Sequence, residues 1–336
     1  MISYALLLPV LVSFFVALFM LPLWIRRAKE EGLVGKDIHK PHGEEVAEGG
    51  GITVVAGFLL GVLLYIAIKT FYFKTTLDTL EILALLCLVL IATIVGLMDT
   101  ILGWKRGLSR RLRIFLILFA AIPLMVINAG ENIMSLPFFG QVDFGILYPL
   151  LLIPLGIVGA TTTFNFLAGY NGLEAGQGII LLSAMSLVAF LTGISWLALI
   201  GLCMVAALLA FIIFNFYPAR VFPGDALTYS VGSLLAAMAI LGNFEKIAVF
   251  FFIPYIIEVV LKVRGKLVKQ SYGVLQKDGT LKPRYDQIYG VEHLAIYLLN
   301  KSGIKATEKK VVYSIWIFQL LIILLGFIIF RDGIFI

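Results

Sequence analysis

The chain has 336 residues, 61% hydrophobic and 14% charged, with a mean hydropathy of +1.04 and a formal net charge of +6. A soluble domain is nearer half apolar and a quarter charged, so this composition excludes an ordinary globular protein and indicates an all-α polytopic membrane protein. The two cysteines, Cys87 and Cys203, lie in apolar runs and leave no disulfide framework or zinc site.

In chain order, the first apolar run starts at Ile2 without a basic leader and is followed by Arg26 and Arg27. That is the opposite flank to a cleavable signal, so a retained span is expected. Ten spans are expected, each near the length that a bilayer core requires: 3–25, 50–72, 81–98, 112–129, 146–166, 177–193, 195–216, 226–242, 246–263 and 310–331. Gly57 and Gly61 could form a helix-packing face. The segment between the fourth and fifth spans, GENIMSLPFFGQVDFG, alternates enough for a short hairpin. Residues 1–336 read as one membrane-embedded unit with a long basic loop at 264–309.

Loop charge gives the orientation. The loops 26–49, 99–111, 167–176, 217–225 and 264–309, with Arg113, Lys262 and Lys310 at their edges, hold 22 of the 26 lysines and arginines. The positive-inside rule then puts these odd-numbered loops in the cytoplasm and both termini outside the cell membrane. The positive charge is a membrane-surface signature, and no nucleic-acid motif accompanies it.

Polar motifs fall on the same face. The first loop carries Asp37, Lys40 and Glu48, and the second opens at Asp99. The third is a polar island of Asn165, Gly169, Asn171, Gly172, Glu174, Gly176 and Gln177, set between apolar runs. The fourth reads NFYPARVFPGD, from Asn215 to Asp225. Lipid penalises such groups unless they face protein, water or a ligand. Glycines let a backbone approach an anion, and Asn and Asp oxygens suit a hard cation such as Mg²⁺. The island therefore reads as the edge of a metal–phosphate site, while a capped helix–loop–helix would also explain its glycines.

Asp225 precedes a span, where it is either a helix N-cap or a ligand. Asp99 ends the third span, where the helix dipole disfavours an anion, so it requires a cation or a basic partner from Lys105, Arg106, Arg110 or Arg111. His39, His42 and His293 lack metal spacing and read as polar loop residues. Glu258 is the one strongly buried charge of the kind a transporter would place near the midplane.

At these residues the sequence resembles the polyprenyl-phosphate N-acetylhexosamine-1-phosphate transferase family across its whole length. AGYNGLEAGQ (168–177) and NFYPARVFPGD (215–225) are similar to the dolichyl-phosphate GlcNAc-1-phosphotransferase branch. Asp37-x-x-Lys40 with Glu48 is a weaker third match. The resemblance implies Asn165 and Asp225 as ligands of Mg²⁺, with Mn²⁺ as the alternative ion, and Asp99 and Asp225 as the catalytic carboxylates. It implies that Asn171 and Phe222 hold uridine, that Ile38 and Glu48 line the nucleotide pocket, and that Arg111 binds phosphate. Lys40, Glu174 and Asn215 lie in the same motifs and are substrate-side candidates. Three departures stand out. Thr100 replaces the second of two adjacent aspartates, Thr162 stands where the family's first Asn of T-N-x-x-N would be, and no H-x-P pattern marks the last loop, so Arg264 and Lys266 are its substrate candidates.

The implied activity is transfer of GlcNAc-1-phosphate from UDP-GlcNAc to a polyprenyl (dolichyl-type) phosphate, with release of UMP, at the start of N-glycan assembly. Its partners are these two substrates and membrane lipid, and a homodimer is compatible with it. The alternatives are a phosphotransferase using another UDP-sugar for a wall or surface polymer, and a polytopic transporter or flippase. A CDP-alcohol phosphotransferase is disfavoured because its D-G-x-x-A-R motif is absent.

Overall fold

The computed structural model describes residues 4–40, 43–103, 107–136 and 140–334. His42, Lys105 and Arg106 lie outside the described residues. Each of the ten apolar stretches is helical. The helices are α1 (Leu7–Glu30), α2 (Gly51–Ala67, continued by a π-helical turn Ile68–Tyr72), α3 (Thr79–Leu102), α4 (Arg110–Ala120), α5 (Ile122–Val126) and α6 (Ile153–Phe164, preceded by a π-helical turn Tyr148–Leu152). They continue as α7 (Leu173–Leu191), α8 (Ser195–Asn215), α9 (Gly224–Leu241), α10 (Glu245–Phe251), α11 (Ile253–Arg264), α12 (Val291–Lys301) and α13 (Glu308–Ile329).

Seven of these, α1, α2 with its π turn, α3, α7, α8, α9 and α13, are long and apolar enough to cross a membrane. The other three expected spans are helical but interrupted, and each interruption has a proline beside it. Pro123 opens α5, Pro149 and Pro154 flank the entry to α6, and Pro254 opens α11 after α10. Proline lacks the amide that the ladder needs and clashes with the preceding turn.

α8 and α9 form the centre, with 78% and 83% of their apolar windows buried, against 22% for α1 and 28% for α13 at the rim. Small residues let backbones approach here. Gly232 of α9 lies so close to α6 that a Cβ there would sit 2.7 Å from the Thr161 Cα. Gly57 and Gly61 form the packing face read from the sequence, against Ser13 and Ala17 of α1.

Three two-stranded antiparallel hairpins decorate the bundle. β1 (Val34–Lys36) pairs β2 (Glu45–Ala47), β3 (Ile133–Leu136) pairs β4 (Gly140–Asp143), and β5 (Val274–Leu275) pairs β6 (Leu281–Lys282). The second occupies the predicted hairpin segment. Backbone bonds tie the first and fourth odd-numbered loops together: the Phe222 N–H donates to Ala47 O at 2.7 Å, and the Gly50 N–H donates to Phe222 O at 2.9 Å. Contacts described below join the second, third and fifth loops to them, so all five share one end of the bundle.

Candidate active site

The C-terminal end of α3 meets the N-terminal end of α9. Gly96 makes this possible, since any Cβ there would collide with the Asp225 carbonyl. The contact brings Asp99 beside Asp225. The Asp99 Oδ1 accepts the Leu108 N–H at 2.6 Å and its Oδ2 accepts Arg113 Nη1 at 2.8 Å. The same guanidinium stands 3.8 Å from Asp225 Oδ2 and faces the Tyr229 hydroxyl.

The cation that Asp99 requires is therefore Arg113, not Arg111, whose side chain is exposed on the first turn of α4. Ser109 starts that helix by accepting the Leu112 N–H, which fixes the register. Arg110 then lies three residues before Arg113, and its Nη2 donates to Leu267 O at 2.7 Å. The helical phase of α4 is the signal that would have singled out Arg113.

Asp225 is not the N-cap of its own helix; Pro223 holds that position and Asp225 is the second residue of α9. Thr100 takes part of the capping role, accepting the Asp225 N–H at 2.9 Å. The residue in place of a second aspartate is thus a hydroxyl that satisfies one orphan amide of α9. Asn165, just past α6, accepts Thr228 Oγ1 through Oδ1 at 3.0 Å, and Thr228 lies one turn beyond Asp225. Among the described residues, Asp99, Asn165 and Asp225 therefore converge with one cation, Arg113. Two carboxylates and one guanidinium leave a net negative charge, and the donors are hard oxygens, a set that fits a divalent cation.

The island 165–172 differs from the sequence expectation. Its backbone N–H groups do not wait for a phosphate, because side chains of the protein accept several of them. The Gly169 N–H donates to Glu174 Oε1 at 2.8 Å, the Asn171 N–H to Glu308 Oε1 at 2.8 Å, and the Gly172 N–H to Asn215 Oδ1 at 3.1 Å. Asn215 also donates to Val221 O at 2.8 Å, holding the loop that carries Phe222. Gly169 and Gly172 have φ of +114° and +85°, a region that favours glycine. Glu174 and Asn215 thus lie inside the scaffold of the loop.

A second ionic cluster lies beside it. The Asn171 Nδ2 donates to Asp37 Oδ2 at 2.9 Å. The Lys40 ammonium stands 3.6 Å from Asp37 and 3.3 Å from Glu308, and 3.2 Å from the centre of the Tyr217 ring. His39 is the polar loop residue expected, but a buried one, and stacks on Tyr170 with ring centres 4.4 Å apart. Burial lowers its pKa to about 4, so it is neutral at ordinary pH. Ligand atoms of Asp37, His39 and Glu308 lie within 4.8 Å of one another, a span a metal could bridge. The Lys40 ammonium already occupies the cationic position between the two carboxylates, so we assign no metal there.

Phe222 packs against Gly35, where a Cβ would lie 3.1 Å from its ring, and the same position would meet the Glu48 carboxylate at 2.6 Å. Burial raises the Glu48 pKa to about 7. Ile38 is 53% exposed between buried Asp37 and His39. Arg264, the last residue of α11, and Lys266, just past it, are exposed, and no hydrogen bond or ion pair joins them, or Arg111, to the two clusters among the described residues. Glu258 is fully buried but paired, with Lys262 at 3.3 Å and the Val291 N–H at 2.5 Å, so it caps α12.

The fold and these clusters define a polytopic membrane protein with a convergent acidic centre at one end. Residues 82–243 match the model of glycosyl transferase family 4. The chain is 36% identical to a Saccharolobus solfataricus protein provisionally named a UDP-N-acetylglucosamine–dolichyl-phosphate N-acetylglucosaminephosphotransferase, over 93% of this chain and 92% of that one. It is 30% identical to the Dictyostelium discoideum protein of that name, over 73% of this chain and 67% of that one. It is 28% identical to a Streptococcus pyogenes phospho-N-acetylmuramoyl-pentapeptide-transferase, over 91% and 93%. The chain belongs to glycosyl transferase family 4.

Proposed function

We propose that this chain transfers GlcNAc-1-phosphate from UDP-GlcNAc to a polyprenyl phosphate of the dolichyl type. The names of its relatives support the substrates. The structural observation that carries the reading is an apolar cavity of about 520 Å³ between α6, α9 and α10–α11. Ile153, Gly156, Leu235, Phe252 and Ile256 line it, and Thr163 lies in its wall two residues before Asn165. The cavity runs from Tyr148, Ile240 and Glu245, at the end away from the loops, up to Thr163, so an isoprenoid chain along it would direct its phosphate-bearing end toward Asn165.

In the reaction an oxygen of the lipid phosphate bonds to the β-phosphorus of UDP-GlcNAc. The bond from that phosphorus to the bridging oxygen breaks, and UMP leaves with the electron pair. A phosphate monoester has a second pKa of about 6, so it is largely ionised at neutral pH and requires little base catalysis. Phosphoryl transfer then asks mainly for positioning and charge stabilisation. Asn165 and Asp225 would hold Mg²⁺, which when bound neutralises diphosphate charge. Arg113 holds Asp99 and Asp225 side by side and keeps its own charge near the reacting phosphates. Asp99 acts through its negative charge on that assembly. Phe222 and Asn171 serve the nucleotide.

We assign the shared loop end to the cytoplasm, on the 22 of 26 basic residues it carries or adjoins. We further read the seven long helices and the three interrupted stretches as ten crossings, which with that assignment puts both termini outside. Cysteines introduced at positions 36 and 270 should react only from the cytosolic side, and external labelling of both in sealed cells would overturn it. The product, a GlcNAc-diphospho-lipid, would be the first intermediate in assembling a lipid-linked oligosaccharide for N-glycosylation. The activity itself is tested by UMP release from purified protein given polyprenyl phosphate and a panel of UDP-sugars. UMP release with a different UDP-sugar would favour the wall-polymer reading. Lipid movement with no UMP would favour a flippase.

A further inference from the structure

We infer that Glu308, the first residue of α13, is a positioning residue for the nucleotide, acting through Asn171 and Lys40. The inference rests on the reading of Asn171 as a nucleotide contact. Glu308 is separated from Asn171 by 137 residues and from Lys40 by 268, yet touches both. Its side chain is 5% exposed, and its two oxygens divide the work. Oε1 accepts the Asn171 N–H at 2.8 Å, which fixes the backbone of the loop. Oε2 takes Lys40 Nζ at 3.3 Å, which draws the ammonium toward α13.

The second contact controls the Asn171 side chain. Asp37 Oδ2 is shared by Asn171 Nδ2 at 2.9 Å and Lys40 Nζ at 3.6 Å. A carboxylate only accepts, so the group that faces it must be the amide NH₂, and the carboxamide oxygen faces away. Glu308 keeps Lys40 from taking Asp37 Oδ2 for itself. Without the Glu308 charge the ammonium would move toward its remaining carboxylate, displacing Asn171 Nδ2 and freeing the carboxamide to rotate. One residue of the last helix thus sets both the backbone and the side-chain state of a residue in the third loop. The Tyr217 ring lies 3.2 Å from the same ammonium, so the cluster also reaches the fourth loop.

The experiment is a double-mutant cycle on the full-length protein in detergent or vesicles, with UDP as the binding probe and UMP release as the assay. Glu308→Gln keeps the shape and one acceptor but removes the charge. It should raise the Kd for UDP and the KM for UDP-GlcNAc by about tenfold, the scale of one lost charge-assisted hydrogen bond. The KM for lipid phosphate and kcat should stay within about twofold, well inside a single decade. The UDP effect should vanish when Glu308→Gln is made in Asn171→Ala, because the two act as one unit. Unchanged UDP affinity in Glu308→Gln overturns the inference, and so does a parallel rise of both KM terms with a fall of kcat and melting temperature, which marks a merely structural role. Full additivity with Asn171→Ala also overturns it. A wild-type protein that binds no UDP removes the nucleotide reading itself, which the wild-type control separates from failure of the inference alone.

Discussion

Two ionic groups at the same end of the bundle have the same formal charge and opposite construction. Each has two carboxylates and one cation: Asp99 and Asp225 with Arg113, and Asp37 and Glu308 with Lys40. In the second group every carboxylate oxygen has a donor, from Asn171, His39 or Lys40, and the side chains of all three charged residues are at most 8% exposed. In the first, Asp99 is closed in the same way, 6% exposed with the Leu108 N–H and Arg113 as donors, but Asp225 is 28% exposed and, among the described residues, its nearest cation stands at 3.8 Å. A buried acidic pair closed by donors is locked in place. An acid left open beside a closed one, as Asp225 is beside Asp99, can take up an incoming cation and a diphosphate. Burial and donor count, rather than charge, separate the positioning group from the reacting one.

The largest way to break this contrast is at the open group. Asp225→Ala should abolish measurable turnover, a loss of about 1,000-fold or more in UMP release, because it removes a charged ligand and leaves Asp99 and Arg113 paired alone. At the closed group, Lys40→Met should act on the fold. Two buried carboxylates would lose their cation, at about 3 kcal/mol, seen as a lowered melting temperature. An unchanged melting temperature would mean that the N–H donors alone suffice. Asp99→Asn should lower kcat by about 30- to 100-fold and leave UDP-GlcNAc binding nearly unchanged, since its charge acts on the reacting phosphates. Wild-type kcat in that variant would leave Asp99 as a structural partner of Arg113.

Smaller effects sharpen the boundary between the groups. Phe222→Ala should weaken UDP binding by about tenfold, on the scale of base–aromatic stacking at about 1–3 kcal/mol. Unaltered affinity would make Phe222 a packing residue against Gly35. Glu48 gives a pH-dependent signature. Its folded pKa of about 7 lies above the ordinary 4.5, so its stabilising contribution is complete below 4.5 and is lost as pH rises through 7. Glu48→Gln should therefore melt higher than wild type at alkaline pH, with the gap closing as pH falls below that of Glu48 ionisation. An equal gap at all pH values would show that the carboxyl does not titrate there.

Hydropathy made the helical stretches legible because lipid selects apolar length regardless of tertiary detail. It did not reveal that three of them are interrupted, where Pro123, Pro154 and Pro254 act on the local ladder. Loop charge grouped the odd loops, and the contacts from Asp37 to Asn171 and from Lys40 to Glu308 bring three of those regions together. The motifs that carry Asn165 and Asp225 were legible because they are long, and Thr228 links the two residues in the structure. Arg113 was not, because it is one of several arginines in RRLR and only the start of α4 at Ser109 selects it. Glu308 was not either. An acid in the first turn of a helix looks like a dipole complement, and no sequence spacing marks a partner 268 residues away. The glycines of the third loop suggested an open anion cradle, but its amides are already engaged by Glu174, Asn215 and Glu308.

The most direct test of the contrast between an open and a closed acidic group is a magnesium titration of UMP release. Wild type, Asp225→Asn and Asn171→Ala would be compared at saturating substrates. Asp225→Asn keeps the shape and removes the charge, and should raise the magnesium concentration for half-maximal rate by at least about tenfold, as expected for a lost ligand. Asn171→Ala should leave that concentration unchanged while weakening UDP-GlcNAc binding. The same magnesium dependence in Asp225→Asn as in wild type, or a shift produced by Asn171→Ala instead, would contradict the account.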